Sequence, residues 1–175
     1  MKKSKKNNGI LFWITGLSGA GKTILAKSIQ KNISKKYGPT ICVSGDQVRK
    51  IFNLKGYSKN ERLKIGKKYI NFINLILKQK INVIFAVVGL FHELHTLNRK
   101  LFPNYVEIYI KSDFNILKSK RKKIFYRKKI ANVWGQDIKA QFPRKPDIVI
   151  RNNFNKDIDK LSSELINKID KKILI

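Results

Sequence analysis

A chain of 175 residues, 42% of them hydrophobic, is long enough to bury a full core and too apolar to be disordered throughout. Its one cysteine, Cys42, cannot make a disulfide framework and is expected to pack in the core of a protein kept in a reducing, cytoplasmic setting. The formal net charge of +28 points to polyanions, yet lysine far outnumbers arginine, and neither arginine nor aromatic residues cluster with the basic stretches; this argues against nucleic acid as the partner and suits electrostatic steering of a small polyanion.

Residues 1–8 read as a basic tail, and the apolar run that follows is too short to cross a membrane. ILFWIT (10–15) is apolar without alternation and ends at a glycine, as expected of a strand buried on both faces. Ile24, Leu25, Ile29 and Ile33 then recur at helical spacing over 22–36, with Gly38-Pro39 as the stop. TICVS (40–44) predicts a second strand. A long helix from Ser58 to Gln79 places Leu63, Ile70, Ile73 and Leu77 on one face, although Gly66 weakens its middle. INVIFAVV (81–88) is the most β-like run and is expected to be a central strand. A helix through Leu94, Leu97 and Leu101 follows, then YVEIYI (105–110), a basic helical stretch from 113 to about 130, DIVI (147–150), and a last helix on Ile158, Leu161, Leu165 and Ile169. Five strands alternating with helices predict an α/β fold, a five-stranded parallel sheet with helices on both faces, in a single domain over 9–175.

Between the first strand and the first helix, Gly16-Leu17-Ser18-Gly19-Ala20-Gly21-Lys22-Thr23 matches G-x-x-x-x-G-K-[ST] in full. Such a loop turns successive backbone N–H groups and a helix N-terminus toward the phosphates of a nucleoside triphosphate. Lys22 can reach the β- and γ-phosphates, and the Thr23 hydroxyl can ligate Mg²⁺. ATP and Mg²⁺ are therefore expected. A second stretch, Ser44-Gly45-Asp46-Gln47-Val48-Arg49, puts an acid and a base three residues apart just beyond the second strand, at the edge of an α/β sheet where ligands bind. Asp46 there can take a proton from an attacking hydroxyl or orient it near Mg²⁺, and Arg49 can hold an anionic group of the acceptor; alternatively Asp46 is a helix cap and Arg49 a surface residue.

These motifs, spread over nearly the whole chain, resemble those of the adenylylsulfate (APS) kinases. GLSGAGKT resembles that family's phosphate loop, and SGDQVR its D-G-D-x-x-R, with Asp46 at the catalytic aspartate and Arg49 at a substrate arginine. GYSKNER (56–62) is similar to G-F-S-x-x-x-R, with Tyr57 at the aromatic and Arg62 at a second substrate arginine. Gly135-Gln136-Asp137, followed by Pro143 and Pro146, is similar to the family's G-I-D region. The resemblance implies a P-loop kinase of the three-layer sandwich type. Such an enzyme moves the γ-phosphate of ATP to the ribose 3′-hydroxyl of a small nucleotide bearing a second anionic group, and carries a lid at about 120–134. A homodimer is left open.

The departures outside the lid fall around the position of that family's acceptor. Ser44 replaces the first aspartate of D-G-D, Ile65 an asparagine, and Val88-Gly89-Leu90-Phe91 the I-S-P-F/Y/H segment. The lid run KRKKIFYRKK keeps Tyr126 and the basic residues that follow it but lacks R-D-P-K-G. Trp134 stands one residue from the position of a base-stacking aromatic and either stacks or closes the lid. A related branch, the cytidine diphosphoramidate kinases of capsule modification, offers an acceptor whose tetrahedral phosphoramidate matches sulfate in size and anionic character while the base changes. That acceptor is favoured over APS. Phe91 is read as either packing or an acceptor contact. His92-Glu93-Leu94-His95 falls one residue short of the zinc spacing H-E-x-x-H. The rival readings are a basic nucleic-acid-binding P-loop protein and a metabolite-binding regulator, the latter leaving Asp46 without a task.

Overall fold

The computed structural model describes residues 8–120 and 138–173. Five strands, β1 (Leu11–Thr15), β2 (Thr40–Ser44), β3 (Asn82–Ala86), β4 (Tyr105–Lys111) and β5 (Ile148–Arg151), form one sheet in the order β2-β3-β1-β4-β5, every neighbouring pair parallel. The helices are α1 (Lys22–Tyr37), α2 (Gly45–Ile51), α3 (Lys59–Leu77), α4 (His92–Leu101), α5 (Phe114–Lys120) and α6 (Ile158–Ile173). All five residues of β1 and of β3 are buried, which is why both read as unalternating apolar runs. The centre belongs to β1. The more β-like β3 lies beside it, still paired on both sides.

Alternate residues of β1 face opposite layers. Phe12 meets Tyr37 of α1, whereas Trp13 stacks on Phe85, which in turn meets Tyr69 of α3. Helices α1 and α6 pack together on the first face, α3 and α4 on the second. Gly66 belongs to that second contact: a Cβ there would come within 2.4 Å of a methyl of Leu94, so the residue that weakens α3 locally lets α4 approach. The edge strand β2 is only half-buried, and burial on its one covered side pushes the Cys42 thiol pKa up, against a smaller opposing pull from Lys27.

Helix ends follow their local chemistry. Ser58 and Glu61 form a reciprocal capping box that starts α3, and Gly38, at positive φ, ends α1. Two expected faces are corrected. Ile24 is 54% exposed, so α1 buries Leu25, Ala26, Ile29 and Ile33. Helix α4 buries Leu94, His95 and Asn98 and leaves Leu101 largely outside, because the strand beneath it carries Glu107 and draws a polar face inward. No described helix is long and apolar enough to cross a membrane.

Candidate active site

The phosphate loop leaves β1 at Thr15. Gly16, Gly19 and Gly21 all take positive φ, a conformation that folds the loop tightly into the start of α1. The Ala20 N–H donates to the Leu17 carbonyl across the turn. Lys22 is buried, and its Nζ lies back over the loop, donating to the Leu17 carbonyl at 2.8 Å. Thr23, one residue further on, is exposed in the first turn of α1, which carries no acidic side chain. A cradle of backbone, one lysine and one hydroxyl suits a triphosphate whose metal is held by one protein oxygen, phosphate oxygens and water, the habit of Mg²⁺.

Register places the other loops beside it. Ser44 pairs with Ala86 and Ala86 with Ile14, so the chain leaves β1, β3 and β2 at the same carboxyl edge, with β3 between the other two. Asp46 is exposed in the first turn of α2. It is not the cap. That place is taken by Ser44, whose Oγ accepts from the Gln47 N–H while the Gln47 side chain accepts from the Ser44 N–H.

Arg49 and Arg62, from α2 and α3, converge on Tyr57 in the loop between them. Their guanidinium carbons lie 4.9 and 5.3 Å from the centre of its ring. Arg49 Nη1 donates to the carbonyls of Leu54 and Gly56, and Arg62 Nε donates to the carbonyl of Tyr57. Two positive charges are thereby held about one exposed aromatic ring, a pair suited in charge and donor geometry to an anionic ligand.

Val88 and Gly89 are half-buried at the edge of β3, and the Thr15 hydroxyl donates to the Val88 carbonyl. Leu90, Phe91 and Ile65 belong to the core at 0, 3 and 5% exposure. In this conformation they can shape an acceptor site only from beneath. The returning chain closes the segment, since Gln141 donates its N–H to the Leu90 carbonyl and accepts from the His92 N–H. His92 and His95 diverge, the first toward the Phe142 carbonyl and the second toward that of Gly89. Trp134, Tyr126, Gly135-Gln136-Asp137 and the lid beyond Lys120 lie outside the described residues.

One residue of the donor half escaped the sequence reading. Asn152, just past β5 and 8% exposed, donates from Nδ2 to the Ala20 carbonyl and accepts from the Phe154 N–H, and a Cβ on Gly21 would meet its Nδ2 at 2.8 Å. Its signal was available: an asparagine at the carboxyl end of a parallel strand, where ligands bind. Asn152→Ala frees a phosphate-loop carbonyl and is expected to raise the KM for ATP roughly five- to tenfold, with the KM of the acceptor unmoved, in steady-state kinetics.

A glycine-rich loop joining a central parallel strand to its helix, with an acid and two arginines on the helices that follow β2, defines a P-loop phosphotransferase. Comparison with known proteins narrows the class. The family model described as adenylylsulphate kinase matches residues 8–151, and the chain belongs to that family. Among curated relatives it is 32% identical over 168 residues to the cytidine diphosphoramidate kinase of Campylobacter jejuni, covering 94% of this chain and 98% of that one. It is 29% identical to the adenylyl-sulfate kinase of Clostridium kluyveri, covering 90% and 86%. In fold it matches the APS kinase of Mycobacterium tuberculosis, solved with AMPPNP and APS, with a TM-score of 0.82 at 22% identity over 93% of this chain and 98% of that one.

Proposed function

We propose that this protein transfers the γ-phosphate of ATP to the ribose 3′-hydroxyl of a small nucleotide carrying a second anionic group, with cytidine diphosphoramidate as the favoured acceptor, in the cytoplasm and in the service of capsule modification. The observation that carries the reading is the fork of Arg49 and Arg62 on Tyr57, set across β3 from an intact phosphate loop. Kinship with the C. jejuni enzyme over almost its full length supports the choice of acceptor.

In this reading the arginines hold the tetrahedral anion, and the 3′-hydroxyl lies toward the γ-phosphate. Asp46 accepts the hydroxyl proton as the oxygen attacks phosphorus, and the bond from phosphorus to the bridging oxygen breaks to release ADP. Lys22 neutralises charge that develops on the transferring group and its leaving oxygen. Mg²⁺, held through Thr23, would supply further charge neutralisation at the phosphates when bound. Ser44, Ile65 and Val88 to Phe91 shape the base pocket. Ser44, where the resembling motif has an acid, puts its hydroxyl to work in a helix cap.

The test is a comparison of kcat/KM for cytidine diphosphoramidate and for APS at fixed ATP and Mg²⁺. The cytidine compound is expected to win by at least tenfold, since a site whose buried polar groups match one base leaves them unpaired with another. Parity, or a preference for APS, would return the protein to sulfate activation.

A further inference from the structure

Helix α4 turns a histidine toward the sheet, and the phosphate-transfer chemistry leaves it unused. His95 is 5% exposed, and its Nε2 lies 3.0 Å from the carbonyl oxygen of Gly89. A carbonyl can only accept, so Nε2 carries the proton and donates it. The other ring nitrogen, Nδ1, stands 3.5 Å from Glu107 Oε1, beyond an effective hydrogen bond. Glu107 is engaged elsewhere, by Arg99 Nη2 at 2.7 Å and by the Tyr105 hydroxyl at 3.2 Å. Burial lowers the His95 pKa to about 4, with the nearby His92 and Arg99 acting in the same direction against the Gly89 carbonyl, so the ring is neutral around pH 7.

The carbonyl that His95 grips belongs to a constrained backbone. Gly89 has φ +41°, and a Cβ on it would come within 2.9 Å of Trp13 Cζ2. The Phe91 N–H donates to the same carbonyl, and the preceding carbonyl, of Val88, is held by Thr15, the last residue before the phosphate loop. Residues 88 and 89 are therefore pinned between β1 and α4, and His95 is the α4 side of the pin.

We propose that His95, as the neutral Nε2–H tautomer, is a positioning residue for the acceptor: by fixing the Gly89 carbonyl it sets the height of the segment over which the acceptor nucleotide lies. This rests on the reading of residues 88–91 as the border of the acceptor site. An uncharged donor suits the place, because a charged one would be desolvated beneath the segment.

The test uses the full chain with cytidine diphosphoramidate and APS as acceptors, and Arg49→Ala as a reference for damage at the acceptor site. His95→Leu is expected to raise the KM of the better acceptor about tenfold and leave the KM for ATP within twofold. His95→Gln, whose amide can donate from nearly the same point, is expected to bring the acceptor KM back to within about threefold of the parent. If His95→Leu and His95→Gln are equally impaired and the KM for ATP rises with them, the histidine is merely structural and the proposal falls. If His95→Leu leaves the acceptor KM alone while Arg49→Ala raises it, the proposal falls and the acceptor site stands. If neither variant moves it, the acceptor site itself is misplaced and the proposal falls with it. Should His95→Leu fail to fold, ¹⁵N-detected imidazole spectra of the parent protein decide. An Nε2–H tautomer whose resonances shift on adding acceptor, and hold still on adding a non-hydrolysable ATP analogue, supports the assignment. An Nδ1–H tautomer, or no response to acceptor, overturns it.

Discussion

Replacing Lys22 by alanine is expected to lower phosphate transfer by about a thousandfold or more, a loss of roughly 4 kcal/mol of transition-state stabilisation, with the fold intact. The Nζ of Lys22 reaches back over the phosphate loop to the Leu17 carbonyl, where a bound triphosphate would meet it. Its place at the start of α1 gives alanine, the best helix former, an easy accommodation. Single-turnover transfer rates and a thermal melt check both halves of the statement. Near-normal turnover would contradict the assignment of the loop to the transferring phosphate.

Asp46→Asn is expected to lower kcat by about a hundredfold or more while the KM for ATP changes little, because in the proposed mechanism the carboxylate acts on the acceptor hydroxyl and takes no part in the phosphate cradle. The capping geometry makes the variant clean. Since Ser44 and Gln47 form the capping box of α2, Asp46 adds only a first-turn charge, and its loss should cost no more than about 1 kcal/mol in stability. Parallel measurement of kcat, the KM for ATP and the melting temperature separates the roles. Weakened ATP binding at unchanged kcat, or a large fall in stability, would make Asp46 a structural residue.

The strands were legible because a parallel sheet buried on both faces leaves a plain signature. TICVS and YVEIYI appear within a residue of the observed strands, and β1 loses only Ile10 from the expected run. The phosphate loop was legible for a similar reason, since its glycines, lysine and threonine are adjacent in sequence. The proposed acceptor half was harder, being assembled from α2, α3 and the edge of β3. That Arg49 and Arg62 share the ring of Tyr57 depends on the fold of residues 52–57, which carry no periodic signal. Spacing put Leu94, Leu97 and Leu101 on one stripe of α4, and of these only Leu101 turns outward. The strand below, with Glu107 paired to Arg99, brings His95 and Asn98 inward beside Leu94. Asn152 was passed over because one asparagine after a strand looks like any turn residue until its amide is seen on Ala20.

The strand order has a consequence for how this chain must be made. β1 is wholly buried and apolar up to Thr15, yet its partners are β3 and β4, beginning at Asn82 and Tyr105, and β2, the next strand made, pairs with β3 and not with it. At ribosomal speeds of about 5–20 residues per second, ILFWIT waits several seconds for a neighbour, an exposed aggregation-prone segment in a nascent chain. What precedes and follows it during that wait is strongly cationic: MKKSKK on one side, and the lysines of α1 on the other. Like charge on every emerging copy sets up repulsion between neighbouring nascent chains and so opposes their association during that wait.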